Sequence, residues 1–202
     1  MKQLILASSN PGKLREFAQM FAPLGIELIA QSSLGIADAD EPHDTFLENA
    51  LAKARHASRQ AKLPAMADDS GICVSALDGQ PGVHSARFAD AAGAGDRASQ
   101  DALNNGKLLA LLRGKADRAA HYACVIVLVR HDKDPEPLVA HGTWQGRIVD
   151  APRGANGFGY DPYFFLLDLG KTAAELEPGE KNMLSHRGKA LRRLLAQLKA
   201  GA

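Results

Sequence analysis

The stretch QLILASSNPGKLREF, residues 3–17, decides the fold class. Its first part, Gln3 to Ala7, is a short apolar run typical of a buried strand, and turn-forming and capping residues follow it at once. Asn10 can cap a helix that starts at Pro11, because the first helical position does not need the N–H group that proline lacks. The sequence therefore predicts a strand that runs directly into a helix.

The same alternation of strand and helix continues along the chain. The first helix is expected to end at Gly25, and Glu27 to Gln31 is the next predicted strand, which gives a strand, helix, strand unit. Further helices are predicted over 45–61, 96–112 and 185–199, and strands over 63–68, 72–77, 122–130 and a twisted hairpin partner, 138–149. This order favours an α/β fold with a mixed sheet and with functional sites where strand ends meet helix starts.

Composition narrows the range of functions. The chain has 202 residues, a length that predicts one domain or two small lobes sharing a core. Its formal net charge is +1, so no overall electrostatic field attracts a polyanion. Cys73 and Cys124 lie in apolar runs without zinc or disulfide spacing and are interpreted as buried thiols. Without a leader-like or bilayer-length apolar run, we expect a soluble protein of a reducing compartment, most simply the cytoplasm.

The first motif that suggests chemistry is Ser8 to Lys13, at the strand-to-helix junction. Hydroxyl and amide side chains, backbone N–H groups at a helix start and the Lys13 ammonium together form a natural phosphate site. A merely well-capped helix explains the same residues equally well. Lys13 favours the phosphate site slightly, because a cation at the positive end of a helix dipole is unfavourable unless an anion lies nearby.

The second motif is the acidic pair Asp68 and Asp69, followed by Ser70 and Gly71. Two adjacent carboxylates at a strand end repel each other and lose hydration unless a cation joins them. A second acidic cluster, Asp38, Asp40 and Glu41, could complete a Mg²⁺ site that also contacts substrate phosphates. The alternative is a solvated turn, which is the better explanation for an isolated Asp-Asp pair.

Two further motifs contain aromatic and basic residues. In GANGFGYDPYFF, residues 154–165, glycines allow close approach of a ligand, and Phe158 is a candidate stacking platform for a purine ring. The aromatic residues 163–165 are interpreted as core strand. In SHRGKAL, residues 185–191, His186 and Arg187 can donate hydrogen bonds to a base or phosphate, although such residues in a first helical turn usually face solvent.

Taken in order, the motifs resemble the inosine triphosphate pyrophosphatase family, also called dITP/XTP or non-canonical purine NTP pyrophosphatases. The similarity spans nearly the whole chain and is carried by SSNPGKLREF, DTFLENALAKARHA, ADDSG, LDGQPGVHSARFA, GFGYDPYF, KTAAEL and SHRGKAL. It implies one domain over residues 1–202, with an elongated two-lobed α/β fold, a central mixed sheet flanked by helices and an active-site cleft between the lobes. It also implies a cytoplasmic, Mg²⁺-requiring homodimer.

The activity that the resemblance implies is hydrolysis of ITP, dITP and XTP between the α and β phosphates, which removes these nucleotides from the pool. Asp69 would be the proton acceptor and a metal ligand, together with Asp40 and Glu41. Asp40 stands where the family usually has Glu, and its side chain is one methylene shorter. The substrate-binding residues would be Ser8, Ser9, Asn10, Pro11, Gly12, Lys13, Ser70, Phe158, Gly159, Tyr160, Asp161, Lys181, His186 and Arg187.

Three alternative functions are compatible with parts of the pattern. A Maf-like nucleotide pyrophosphatase would act on pyrimidine or modified nucleotides. A haloacid-dehalogenase-type phosphatase would need an Asp-x-Asp pair, whereas Asp68 and Asp69 are adjacent. An RNA-binding module would need a basic surface, which the balanced charge does not favour.

Overall fold

A single mixed sheet of seven strands organises the chain, and the computed structural model describes residues 2–22, 25–89 and 96–200. The strand order is β2-β1-β3-β4-β5-β6-β7. The bounds are β1 Gln3–Leu6, β2 Glu27–Ala30, β3 Ala65–Val74, β4 Ala119–Val129, β5 Leu138–Ile148, β6 Phe164–Leu166 and β7 Lys171–Thr172. The predicted α/β class with a mixed sheet is confirmed.

The sheet is parallel at one edge and antiparallel at the other. Strand β1 pairs in parallel with both β2 and β3, with Ile5 opposite Ile29 on one side and Ala65 on the other. Strand β6 pairs antiparallel with β5 and β7. Leu6 at the end of β1 pairs with Met66 of β3, so Ser8, two residues after Leu6, and Asp68, two residues after Met66, lie at a similar level on neighbouring chain segments.

Five α-helices occur in the described chain: three lie between strands and two follow β7, and the starts of the first three follow the capping signals of the sequence. The Asn10 side chain accepts hydrogen bonds from the N–H groups of Gly12 and Lys13, and Thr45 and Asp96 cap the second and third helices through Glu48 N–H and Ser99 N–H. The helices are α1 Pro11–Phe21, α2 Phe46–Ala61, α3 Arg97–Leu112, α4 Pro178–Leu184 and α5 His186–Ala200.

The chain divides into two compact units. Unit 1 contains residues 1–69, 124–142 and 189–202, and unit 2 contains residues 70–123 and 143–188. In unit 1, Leu4 and Leu6 pack with Phe17 of α1, whereas Ile5 packs with the alanines of α2. Alternate strand residues therefore belong to different cores, as the two-residue period of a strand requires. Unit 2 has its own apolar core, which includes Trp144 and Phe164.

The structure corrects one prediction about the strands. Two strands are predicted over 63–68 and 72–77, the first ending at Asp68, but β3 continues from Ala65 to Val74 without interruption. Gly71 lies against the backbone of Gly82, where a Cβ atom would come within 2.2 Å of the carbonyl oxygen. The glycine therefore permits close packing beside a strand and does not end it. The short helix α4 and strand β7 were not predicted.

Candidate active site

The adjacent acids Asp68 and Asp69 lie within β3, and each has a different lysine partner. Lys13 Nζ is 3.1 Å from Asp68, and Lys53 Nζ is 3.0 Å from Asp69. Asp68 is 1% exposed and Asp69 is 5% exposed. Because successive strand side chains point to opposite faces, the two carboxylates are separated although they are neighbours in the sequence.

Lys53 joins Asp69 to the acidic segment that precedes α2. Its Nζ lies 2.6 Å from Glu41 as well as 3.0 Å from Asp69, so two carboxylates converge on one ammonium group. Burial disfavours the charged form of Lys53, but the negative charges of Asp69 and Glu41 outweigh it and raise the pKa of the lysine. Burial also raises the pKa of Asp69, against the opposing effect of Lys53 and Lys13.

The remaining acids of this segment lie in different environments. Asp38 accepts hydrogen bonds from the Ser9 hydroxyl and the Gln31 amide. Asp40 is exposed. Asn49 Nδ2 lies 3.4 Å from Asp69 and 3.0 Å from the carbonyl oxygen of His43, so α2 also contacts the acidic segment through this amide. Of the predicted metal ligands, Glu41 and Asp69 thus share a cationic partner.

Oxygen donors that converge on one cation fit Mg²⁺ chemically. Mg²⁺ is bound in proteins through one or two carboxylates and completes its shell with water and substrate phosphates. Glu41 and Asp69 offer such a pair, with the Lys53 ammonium held between them. Among the residues that the structure describes, no group of three or more His, Cys, Asp or Glu side chains could hold a metal by itself. Glu41 and Asp69 therefore supply two of the oxygen ligands that Mg²⁺ requires and not a complete set.

The turn from Ser8 to Lys13 is well capped. Asn10 Oδ1 accepts from the N–H groups of Gly12 and Lys13 at 2.9 and 3.3 Å, and Asn10 N–H donates to Ser8 Oγ at 3.2 Å. The capped-helix interpretation therefore describes the turn as it stands. The anion that stabilises Lys13 at this helix start is Asp68. Phosphate binding by this turn stays a prediction.

A second set of predicted residues lies in unit 2, around Phe158. This ring is partly exposed, with Lys181 Nζ 4.7 Å and Arg187 Cζ 6.0 Å from its centroid. Asp161 Oδ2 accepts from Phe158 N–H at 2.8 Å and from Lys181 Nζ at 2.7 Å. Arg187 Nη2 also donates to Ser70 Oγ at 3.0 Å. The structure thus groups an aromatic platform with two cations.

The predicted base-recognition residues His186 and Arg187 are buried, which excludes the solvent-facing alternative. His186 is 5% exposed and Arg187 is 3% exposed. The imidazole ring stacks on Tyr122, with centroids 4.6 Å apart and an angle of 7° between the planes, and Trp144 lies 6.5 Å away on a similar plane. Such stacking fixes the plane of the imidazole and therefore the directions in which it can donate.

Several residues around Asp69 and around Phe158 were not predicted from the sequence. Lys53 and Asn49 are polar residues spaced i and i+4 among the buried alanines of α2, and that interruption of an apolar stripe is a usable signal. Tyr122 lies in a continuous apolar run with no local signal of its role. Its contact with His186 depends on the pairing of distant segments.

Comparison with known proteins identifies close relatives along nearly the full chain. The model of the Ham1 family matches residues 4–197. A dITP/XTP pyrophosphatase of Burkholderia pseudomallei is 62% identical over 97% of this chain and 93% of that protein. A dITP/XTP pyrophosphatase of Ralstonia nicotianae is 59% identical over 98% of both chains.

Solved structures agree with these matches. The HAM1 protein of Coxiella burnetii has a TM-score of 0.89 and 45% identity, over 99% of this chain and 100% of the other. The nucleoside-triphosphatase or dITP/XTP pyrophosphatase of Mycobacterium abscessus has a TM-score of 0.73 and 39% identity, over 96% and 98%. Within the described residues, no helix combines the length and apolarity needed to cross a membrane.

Proposed function

This chain belongs to the Ham1 family, and we propose that it is a Mg²⁺-dependent pyrophosphohydrolase of non-canonical purine nucleoside triphosphates. It would convert ITP, dITP and XTP to the monophosphate and pyrophosphate, as the names of its relatives at about 60% identity suggest. The observation that carries the proposal is the arrangement of the buried Asp69 with the partly buried Lys53 and Glu41, because charge neutralisation and a base for water are what this hydrolysis requires.

Asp69 and Glu41 would hold the metal, and Asp40, which is exposed beside Glu41, is a further proposed ligand. Bound Mg²⁺ would neutralise charge on the phosphates. We assign the phosphates themselves to the turn Ser8 to Lys13, including Ser9, Asn10, Pro11 and Gly12. The hydroxyls and Lys13 are the chemically suitable groups there, since Asn10 already occupies two of the N–H groups.

Asp69 would remove the proton from the attacking water. A general base is most effective when its pKa lies near the working pH, and burial moves the pKa of Asp69 upward in that direction. Lys53, which lies 3.0 Å from Asp69, would keep this carboxylate oriented and would offset the charge of Glu41. No covalent intermediate is needed, because water is the nucleophile.

The purine ring would stack on Phe158, with Gly159, Tyr160 and Asp161 shaping that position. Donors from His186 and Arg187 would be satisfied by the 6-oxo group of hypoxanthine or xanthine. Adenine presents a 6-amino donor there, and an unpaired buried donor costs about 1–3 kcal/mol, which corresponds to roughly ten- to hundredfold rejection. Lys181 and Ser70 complete the proposed binding set.

We further propose that residues 1–202 act as a single domain and that the protein is a cytoplasmic homodimer that clears the nucleotide pool. The single-domain proposal is supported by Asp69 and Ser70, which are adjacent in β3. Asp69 belongs to the proposed catalytic residues, whereas Ser70 belongs to the proposed substrate-binding residues. The other parts rest on the family resemblance.

The proposed function is tested by incubating the purified protein with ITP, XTP, GTP, ATP and dCTP, with and without Mg²⁺, and measuring pyrophosphate and orthophosphate separately. We expect pyrophosphate from ITP and XTP, little from ATP or dCTP, and loss of turnover when Mg²⁺ is chelated. Release of orthophosphate instead, or a preference for dCTP, would contradict the proposal.

A further inference from the structure

The backbone around Phe158 is held partly from within its own loop, where the Phe158 N–H group donates to Asp161 Oδ2 at 2.8 Å. Gly157 and Gly159, on either side of Phe158, have φ values of +83° and +66°. Glycine reaches this region easily but has the most conformational freedom to lose, so such a segment has little stiffness of its own. Phe158 is only partly buried, whereas Tyr160 is 4% exposed in the unit 2 core. Packing therefore fixes Tyr160 much more strongly than Phe158.

Helix α3 supplies a second restraint through two side chains on one face. Asp101 Oδ2 accepts from the N–H group of Gly159 at 2.8 Å, and Asn105 Nδ2 donates to the carbonyl oxygen of Gly159 at 2.9 Å. Asp101 and Asn105 are spaced i and i+4, which places them side by side on a helix. Both backbone polar groups of one glycine are thus held by one helix.

The two bonds act on different peptide planes. The N–H group of Gly159 belongs to the plane that also contains the carbonyl of Phe158, and the Gly159 carbonyl belongs to the plane shared with Tyr160. Because peptide groups are planar, holding both groups fixes the backbone on each side of the glycine. The position of the Phe158 Cα atom, and of the ring attached to it, follows from the first plane.

The Asn105 side chain is buried and is held in the orientation that this contact needs. Asn105 is 7% exposed and also donates to the carbonyl oxygen of Asp101 at 2.8 Å, so its amide is locked to the helix. Its Oδ1 atom is buried and accepts no hydrogen bond from the described residues. A buried acceptor without a donor is unfavourable. The two hydrogen bonds that Asn105 Nδ2 donates therefore explain why an amide side chain occupies this position.

We propose that Asp101 and Asn105 are positioning residues that hold Gly159 so that a base stacked on Phe158 meets the donors of His186 and Arg187, and that they thereby set selectivity between 6-oxo and 6-amino purines. The inference rests on the proposed function, in which Phe158 stacks on the purine. Neither residue touches the substrate in this proposal. They act through the backbone of residues 158–160.

The direct test is amide hydrogen exchange at Gly159, measured without nucleotide in the full-length protein. In Asp101→Ala the N–H group of Gly159 loses its acceptor, so we expect faster exchange there, by on the order of tenfold or more. Asp101→Asn retains an acceptor oxygen and should restore protection. Arg97→Ala is the matched control, because it removes the 3.1 Å ion pair of Asp101 and leaves the bond to Gly159 in place.

The functional test compares kcat and KM for ITP and ATP. In Asp101→Ala and Asn105→Leu, we expect KM for ITP to rise and the ITP to ATP ratio of kcat/KM to fall by on the order of tenfold, with kcat for ITP much less affected. Asn104→Leu removes a neighbouring buried amide that contacts Ala89 N–H and the carbonyls of Ser85 and Ala86. It should lower stability without changing the ratio.

The outcomes separate this inference from the proposed function. If the unmodified protein releases no pyrophosphate from ITP, the proposed function is wrong, whatever the exchange data show. If the unmodified protein is active but Asp101→Ala keeps its Gly159 protection, or loses it with the ITP to ATP ratio unchanged, the positioning role is wrong. Should Asn105→Leu fail to fold, the comparison of Asp101→Ala with Asp101→Asn still tests the positioning role.

Discussion

At the scale of single residues, adjacent carboxylates can be buried together because each has its own cation. Asp68 pairs with Lys13 and Asp69 pairs with Lys53, on opposite faces of β3. The sequence pointed to Asp69 and Glu41 as functional residues through their charge and their place before and after predicted elements. Lys53 was overlooked, because its one local signal, the interruption of the alanine-rich stripe of α2 that it shares with Asn49, does not indicate which carboxylates it contacts.

The first prediction concerns Asp69. Asp69→Asn keeps the size of the side chain but removes the base and the charge, so ITP hydrolysis should fall by roughly 10²- to 10⁴-fold, the usual contribution of a general base. Pyrophosphate release measures the effect, and circular dichroism checks the fold. Asp132→Asn is the control, since it affects a partly exposed 3.4 Å ion pair with Arg59. Turnover near the parent rate in Asp69→Asn would disprove the assignment.

The second prediction concerns Phe158. Phe158→Ala removes the proposed stacking platform, and binding of purine triphosphates should weaken by roughly 1–3 kcal/mol, the usual contribution of a stacked base. The Michaelis constants for ITP and XTP report this loss. An unchanged Michaelis constant would remove Phe158 from the substrate site. Leu167→Ala, a change at a side chain that is 66% exposed, serves as the control for nonspecific effects.

At the scale of elements, glycine positions differ in what they tolerate. Gly71→Ala would place a methyl group 2.2 Å from the Gly82 carbonyl oxygen and 2.5 Å from Ser85 Oγ. The backbone must shift to relieve this contact, so we expect a loss of about 1–3 kcal/mol in the free energy of unfolding. Gly106→Ala, inside α3 with open space around it, should instead gain about 0.5–1 kcal/mol. Denaturant unfolding measures both changes.

The connection between β4 and β5 depends on a buried carboxylate. Asp134 is 1% exposed and accepts from Arg130 Nε at 2.9 Å, from Arg130 N–H at 2.8 Å and from Glu136 N–H at 3.0 Å. The hydrogen bonds from the Arg130 side chain are the main reason that the pKa of Asp134 lies well below its usual range. The charged form is therefore stabilised by folding.

A pH-dependent prediction follows for Asp134→Asn. A depressed folded-state pKa contributes stability that is complete above the unfolded-state pKa, about 3.9, and is lost as the pH falls toward the folded-state value. The variant should be less stable than the parent by about 1–3 kcal/mol at pH 7, and this difference should shrink below about pH 4. Urea unfolding across pH 2–7 tests this, and a constant difference would contradict it.

At the scale of the whole molecule, three strands have residues in both units. The division between units passes within β3, β4 and β5. Because such a strand contributes residues to both units, unfolding of one apolar core should be accompanied by unfolding of the other. We therefore expect a single cooperative unfolding transition, as small single domains show.

The single tryptophan, Trp144, makes this expectation measurable. It belongs to unit 2 and lies beside Phe164 and His186, so its fluorescence reports that unit, whereas far-ultraviolet circular dichroism reports the helices of the whole chain. The two transitions should coincide, and Phe17→Ala in unit 1 should lower both midpoints together. Two separate midpoints would contradict the single-domain proposal for residues 1–202.

The sequence by itself determined most of the helices and strands and the types of side chain that lie near their ends. Capping residues such as Asn10 and Thr45 act on N–H groups two or three residues away, and apolar periodicity acts within a few turns, so helix starts could be predicted closely. The strand-helix-strand unit and the acidic segment that follows it were predicted from the same local rules.

Only the tertiary structure decided which side chains meet. Arg187 reaches Ser70 across 117 residues of sequence, Asn105 reaches Gly159 across 54, and Lys53 joins Glu41 to Asp69. These contacts depend on the order and register of the strands, because a shift by one residue turns each strand side chain to the opposite face. Pairing with neighbouring strands likewise extends β3 through Asp68 and Asp69 to Val74, whereas the local sequence predicts a strand that ends at Asp68.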